Sequence, residues 1–141
     1  MQAQRKLAIA EHLLTKSYPS LNDPKILLSV LQNTLEAIEE ALTQRLQEAR
    51  KNKEIPTYNT SFNGKLTAYK LHLANNSNLS RVDFMMISEM QELLEEHKQA
   101  PTAFRRNNNF VIADNNFNLK TLDEKKTRTY LKRTKKFINK L

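Results

Sequence analysis

Between Pro24 and Pro56 the chain contains neither proline nor glycine, and its apolar residues return every three or four positions. The recurring residues are Leu28, Leu31, Leu35, Ile38, Leu42, Leu46 and Ala49. This spacing predicts one amphipathic helix, with Asp23 as its N-cap and Pro24 in its first turn. The predicted helix is about 27 residues long and extends about 40 Å at 1.5 Å per residue. A helix of this length predicts the spine of a helical bundle.

Four shorter helices are predicted around this spine. The first covers residues 3–17 and ends before Tyr18-Pro19, because proline disrupts a helix interior. After a polar connection at 52–60, another follows with the apolar spacing Phe62, Leu66, Tyr69 and Leu73. Gly64 is expected to weaken the first turn of that helix.

Capping signals predict where the last two helices begin. Ser80 with Asp83 resembles a capping box, and the helix after it has the predicted core face Val82, Met86, Met90, Leu93 and His97. Thr121 with Glu124 predicts a second capping box, and the final helix has the predicted core face Tyr130, Leu131, Thr134, Phe137, Ile138 and Leu141.

The segment before the final helix has a different pattern. Residues 110–112 are β-prone, 114–116 are typical turn residues and 117–121 alternate, so a small β-hairpin is predicted at about 109–121. The predicted fold class is therefore all-α, a bundle of about five helices with a small β-hairpin before the last helix. At 141 residues the chain fits one domain, 1–141.

The net charge of the chain lies in its last third. Residues 98–141 contain 12 Lys/Arg and 3 Asp/Glu, a balance of +9, whereas residues 1–97 contain 11 and 12, a balance of −1. Clustered Lys and Arg attract phosphate at any nucleic-acid sequence. Residues 98–141, the basic hairpin-plus-helix subregion, are therefore the predicted partner-binding part of the chain.

Two groups of residues are candidates for nucleic-acid binding. In the final helix, cations recur at three- and four-residue steps on the side predicted to lie away from Tyr130 and Phe137. Upstream, Phe104 to Phe110 interleaves aromatic, cationic and amide side chains, which can stack on bases, bind phosphates or read base edges. The candidate residues are Arg105, Arg106, Asn107, Lys125, Arg128, Lys132, Arg133, Lys135 and Lys136.

The aromatic interleaving and the lack of a helix-turn-helix pattern favour RNA over duplex DNA as the partner. Other interpretations remain open. The aromatic residues could simply seat the hairpin on the bundle, the basic helix could be a solubilising surface, and either could bind a protein. An anionic membrane ranks lower, because few bulky apolar residues accompany the cations.

Catalytic and metal-binding patterns are not found in the sequence. There is no cysteine, and His12, His72 and His97 are too scattered for a sequence-local metal site. No phosphate-binding glycine loop, nucleophile elbow or HExxH motif occurs. We therefore predict a noncatalytic protein without metal or cofactor. No signal peptide or membrane-spanning run is recognised, so a cytoplasmic location is expected.

Several segments resemble the HEPN superfamily of helical bundles. They are Ala10-Glu11-His12-Leu13-Leu14, Tyr18-Pro19, and the run from Asp23-Pro24 to Leu31. Together with the hairpin at 106–114, this run also looks like a group of small uncharacterised archaeal proteins with a bundle, a hairpin and a basic last helix. The resemblance implies a helical fold, covers most of the chain, and carries structural rather than chemical motifs.

The resemblance raises two alternatives to simple RNA binding. Many HEPN proteins are ribonucleases with an Arg and a His separated by four to six intervening residues on a late helix, at an active site formed across a dimer. Here Arg5 and His12 have that spacing, but they lie in the first helix and Lys6 replaces the usual polar residue. The resemblance thus favours a noncatalytic member, with a homodimer or a toxin–antitoxin-like complex as the alternative function and a ribonuclease as a further one.

Overall fold

The computed structural model describes the backbone of the chain except for residues 1, 24, 75–78, 100–101, 107–108 and 114–118, and it describes no side chain between 97 and 121. The described part is mainly helical. Its helices are α1 (Gln2–His12), a π-helical segment (Leu13–Ser17), α2 (Tyr18–Leu21), α3 (Lys25–Lys51), α4 (Phe62–His72), α5 (Arg81–Gln99) and α6 (Glu124–Lys140). Because α1, the π segment and α2 are continuous, these elements make five helical units, which confirms the predicted bundle.

The long helix α3 is the spine of the fold and has the 27 residues that its pattern predicted. Asp23 caps its start, with Oδ1 accepting a hydrogen bond from the Lys25 backbone N–H at 3.0 Å. All seven residues of the apolar spacing are buried, and α1, α4, α5 and α6 pack against this helix. The shared core therefore surrounds α3, and each other helix buries one face against it.

The first helical unit is longer than predicted, because the chain remains helical through Pro19 and ends at Leu21. The π-helical turn explains why. Tyr18 N–H bonds the Leu13 carbonyl, a wider ring than that of an α-helix, immediately before a proline whose own ring would crowd a regular turn. The unit ends at Asn22, whose φ of 50° is left-handed and whose N–H bonds the Tyr18 carbonyl at 2.7 Å.

The start of α4 shows why a glycine stands at position 64. Ser61 is the N-cap, and its Oγ accepts a hydrogen bond from the Gly64 N–H at 3.0 Å. The preceding loop folds back so closely that a Cβ on Gly64 would lie 2.2 Å from the Asn59 backbone oxygen. The absence of a side chain, which the sequence suggested was a weakness, permits this close approach.

We expect Gly64→Ala to destabilise the protein by about 1–3 kcal/mol, because the added methyl group overlaps backbone rather than a movable side chain. Thr67→Ala, at an exposed position of the same helix, is the matched control and should be neutral or slightly stabilising. Thermal or urea unfolding of the two variants measures the difference. Equal stability of both would show that Asn59 and Gly64 are not in close approach.

The fourth helical unit, α5, begins as predicted, since the Ser80 N–H donates to Asp83 Oδ2 at 2.9 Å. Its predicted core face was partly wrong. Met86, Met90 and Leu93 are buried, but Val82 is 55% exposed, and Ile87 is fully buried. Val82 therefore lies outside the core, on an exposed side of the first turn of α5. His97 lies outside the residues whose side chains are described.

The final helix α6 is capped by Asp123, not by Thr121 as predicted. Asp123 Oδ1 accepts from the Lys126 N–H at 2.6 Å, whereas Thr121 belongs to the preceding extended segment. The predicted core face of α6 is otherwise right, with Tyr130, Leu131, Thr134, Phe137 and Ile138 buried. The Phe137 ring packs edge-on against Phe84 of α5, with 6.0 Å between centroids.

The backbone between α5 and α6 is extended at β1 (Thr102–Arg106), β2 (Asn109–Ala113) and β3 (Leu119–Leu122). These segments pair antiparallel in the order β1-β2-β3, with Phe104 opposite Val111 and Val111 opposite Thr121. Residues 114–118, which include the predicted turn at 114–116, lie outside the described residues, and so do the side chains that would seat the predicted hairpin at 109–121. The hairpin as a packed unit on the bundle therefore stays a prediction.

Candidate nucleic-acid interface

The helical geometry of α6 places some of its basic residues opposite its buried face. Its buried face points into the bundle against α3, and at 100° per residue Lys125, Lys132 and Lys136 fall within roughly 40° of one another on the opposite side. Lys140 lies beside them at the end of the helix. All four are exposed. We name these four residues the lysine crest, because they form the outermost line of α6.

The cations beside the crest point towards neighbouring carboxylates. On the α1 side, Lys135 Nζ lies 3.1 Å from Glu11 Oε1. On the α5 side, Lys126 Nζ lies 3.1 Å from Glu89 Oε1. Arg128 pairs with Glu124 one turn before it in α6. The predicted basic surface is thus narrower than expected, since Arg128 and Lys135 form ion pairs within the protein.

Within the described part of the chain, the lysine side chains of the crest form no ion pair and no hydrogen bond. Exposed ammonium groups along one helix line repel one another at modest cost, and they remain available to an external anion. Arg133 is half-buried and faces the Glu89 side of α6. Within the described residues, the crest therefore comprises the cations of this helix that are both exposed and without an ion pair.

Glu89 connects α5 to α6 through two contacts on one oxygen. Its Oε1 accepts a hydrogen bond from the Tyr130 hydroxyl at 2.7 Å and is paired with Lys126. The Tyr130 hydroxyl, followed by Lys126 and the positive charge of Arg133, lowers the pKa of Glu89 below its ordinary value, although partial burial opposes this. Burial, followed by the bond to Glu89, raises the pKa of Tyr130 well above its ordinary value.

The lowered pKa of Glu89 predicts a pH-dependent contribution to stability. The ionised carboxylate stabilises the fold above its ordinary pKa of 4.5, and that contribution is lost as the pH falls through the lower pKa of the folded state. We expect Glu89→Gln to be less stable than the wild type at pH 7, and this stability gap should be smaller at pH 3. Urea unfolding at both pH values tests this. A stability gap that is the same at the two pH values would contradict it.

The structure does not describe the side chains of the three candidate residues upstream of the final helix. Arg105 and Arg106 belong to β1, but their side chains lie outside the described part, and Asn107 lies outside it altogether. Whether they join the lysine crest in one surface stays a prediction.

The alternative catalytic pair lies elsewhere. Arg5 and His12 are both exposed on α1, and their seven-residue separation places them on one face, about 10 Å apart along the helix axis. Among the described residues, no three His, Asp or Glu side chains form a group that could hold a metal ion. None of the described helices combines the length and apolar character that a membrane crossing requires.

A groove beside α6 lies, apart from Arg133, outside the nucleic-acid-binding residues that the sequence predicted. It has a volume of about 570 Å³ and is lined by residues of α4, α5 and α6. Its apolar surface includes Val82 and Met85, and Lys70, Arg81 and Arg133 line it as well. Exposed Met85 could have signalled it, since an apolar residue placed next to the predicted core stripe is either buried or part of a surface patch. We name it the α5 groove.

Comparison with known proteins adds no assignment. No family model, no curated protein and no solved structure matches this chain. The functional conclusion therefore rests on the residues and their arrangement.

Proposed function

We propose that this protein is a noncatalytic RNA-binding module, or a subunit associated with ribonucleoprotein, that binds the phosphate backbone through α6. One observation carries the proposal. The four lysines of the lysine crest are exposed and, within the described residues, form no ion pair, while carboxylates on α1, α5 and α6 pair with three other cations of the same helix.

The arrangement suits a flexible polyanion. Lys125 and Lys140 are separated by about 22 Å along the helix axis, so a line of positive charge runs the full length of α6. Lysine ammonium groups bind phosphate as point charges and do not require a fixed geometry. Such a line gives affinity without reading sequence, because phosphate contacts position a nucleic acid while base contacts specify it.

The packing of α6 also supports this role. Tyr130, Phe137 and Ile138 are buried against the bundle, and the Tyr130–Glu89 and Lys135–Glu11 contacts fix the helix on both sides. The crest is therefore presented by a rigid element, which lowers the conformational entropy lost on binding. Arg105, Arg106 and Asn107 are proposed to extend the same surface.

Salt dependence of RNA binding tests the proposal. If four lysines each contact one phosphate, the logarithm of the association constant should fall against log salt with a slope of about −3, or about 50-fold between 50 and 200 mM salt. Fluorescence anisotropy with a labelled structured RNA measures this slope. Undetectable binding at 50 mM salt, or affinity indifferent to salt, would overturn the proposal.

The same samples address catalysis. A noncatalytic module should leave the RNA intact, as seen on a denaturing gel after the binding experiment. Cleavage that disappears in a His12→Ala variant would instead support the ribonuclease alternative.

A further inference from the structure

The α5 groove combines an apolar surface with positive charge. Val82 is 55% exposed and Met85 is 58% exposed, although both are large apolar residues one turn apart on the same face of α5. Lys70 of α4, Arg81 of α5 and Arg133 of α6 line the groove too. Three separate helices thus bring cations to one apolar recess.

The two carboxylates in the groove do not cancel this charge. Glu89 and Glu92 line it together with the three cations, which leaves a formal surplus of one positive charge. Glu89 is also already paired with Lys126, which is not part of the groove, and it accepts the Tyr130 hydroxyl. The groove therefore favours an anionic ligand that also has an apolar part.

One cation of the groove, Lys70, contacts an aromatic ring. The Lys70 ammonium is 4.9 Å from the centroid of the Phe84 ring, and Phe84 packs on Phe137 in the core. This cation–π contact holds Lys70 close to the apolar surface instead of leaving it free in solvent. The position of one positive group is thus fixed beside Val82 and Met85.

The groove and the lysine crest share the helix α6. Arg133 lines the groove, and it is adjacent in sequence to the crest residue Lys132 on the next face of α6. A strand whose phosphates follow the crest would reach the groove at Arg133. There it would meet the apolar surface of Val82 and Met85, where an unpaired base can make contact, whereas a duplex keeps its bases stacked inside.

We infer that the α5 groove is a binding site for one unpaired nucleotide of single-stranded RNA, with its base on Val82 and Met85 and its phosphates at Arg81, Lys70 and Arg133. The inference rests on the proposed function, because the crest supplies the path that leads the strand there. It deepens that function by specifying single-stranded over duplex RNA. Methionine adapts its shape to different flat groups, which suits a base site without sequence preference.

The test uses the full chain and two RNA probes, a short single-stranded oligoadenylate and an RNA duplex of equal length. Val82→Ser with Met85→Ser removes the apolar surface at two exposed positions, so folding should be unaffected. The matched control is Ile9→Ser with Leu21→Ser, which are also exposed apolar residues, 42% and 70%, on another helical unit. Anisotropy titrations give both affinities, and sedimentation velocity gives the oligomeric state.

We expect the groove variant to bind the single strand about tenfold more weakly, within the range for losing one contact between methionine and an aromatic ring, and the duplex unchanged. The control should bind both probes like the wild type. A crest variant, Lys132→Glu with Lys136→Glu, is measured alongside. If the groove variant binds both probes normally while the crest variant binds both weakly, this inference is overturned and the proposed function stands. An equal loss on both probes, or conversion of a dimer to a monomer without change in RNA affinity, would also overturn it. Crest variants that bind normally would overturn the proposed function itself.

Discussion

Replacing Lys132 and Lys136 with glutamate should weaken RNA binding about 30-fold at 0.15 M salt. Both residues belong to the exposed crest and have no partner in the described structure, so the change removes two phosphate contacts without leaving a buried charge. At about 1 kcal/mol per contact, the loss of two contacts gives this factor. The salt slope should also become shallower by about 1.4.

The control for this variant has the same change in net charge at another place. Lys16→Glu with Lys51→Glu alters two exposed lysines on the first helical unit and at the end of α3. At physiological salt the Debye length is about 8 Å, so distant charges are largely screened and the control should bind almost like the wild type. If the two double variants lose affinity equally, overall charge rather than the crest attracts the RNA. Circular dichroism should show both to be folded.

Phe137→Ala should have the largest effect on stability, a loss of about 3–5 kcal/mol. Phe137 is fully buried and packs edge-on against Phe84, so its removal leaves a cavity between α6 and α5. Because a domain has only about 5–15 kcal/mol of net stability, this is a large fraction of it. Urea unfolding gives the free energy directly.

Phe137→Leu is the matched control and should cost about 1.5 kcal/mol or less, because it keeps most of the apolar volume. A Phe137→Ala variant as stable as the control would contradict the packing of α6 described above. The position of the lysine crest would then also be in question, because the crest is exposed only if the opposite face of α6 is buried.

The sequence predicted those parts of the fold that depend on local signals. The bounds of α3 follow from Asp23, from an uninterrupted three- and four-residue apolar spacing, and from the absence of breakers. Its burial on several sides could be inferred from the width of its apolar face. The start of α5 just after Ser80 was likewise predicted from the capping pair of Ser80 and Asp83.

The errors came where packing or backbone geometry overrides a local rule. Proline at position 19 predicts a helix end, but the preceding π turn accommodates it. Val82 has core spacing on α5, yet its side chain is 55% exposed. Gly64 was interpreted as a helix-weakening residue, because sequence spacing does not reveal that the Asn59 backbone approaches it.

In the candidate site, too, local sequence signals predicted one part, and contacts between distant residues determined the rest. Periodicity alone places Lys125, Lys132 and Lys136 opposite the core of α6, and that part could be predicted. The pairing of Lys135 with Glu11 joins residues from opposite ends of the sequence, and that of Lys126 with Glu89 joins α6 to α5. Charge counting cannot distinguish a cation neutralised in this way from one left exposed, so the sequence predicted too broad a basic surface.

Lysine footprinting with and without RNA tests the central claim most directly, since every lysine of one molecule is compared with every other. The protein is acetylated briefly, and mass spectrometry reports the modification rate of each lysine. RNA should slow the modification of Lys125, Lys132, Lys136 and Lys140 strongly, and that of Lys16 and Lys51 little or not at all. Protection spread evenly over all lysines, or absent from the crest, would contradict the account.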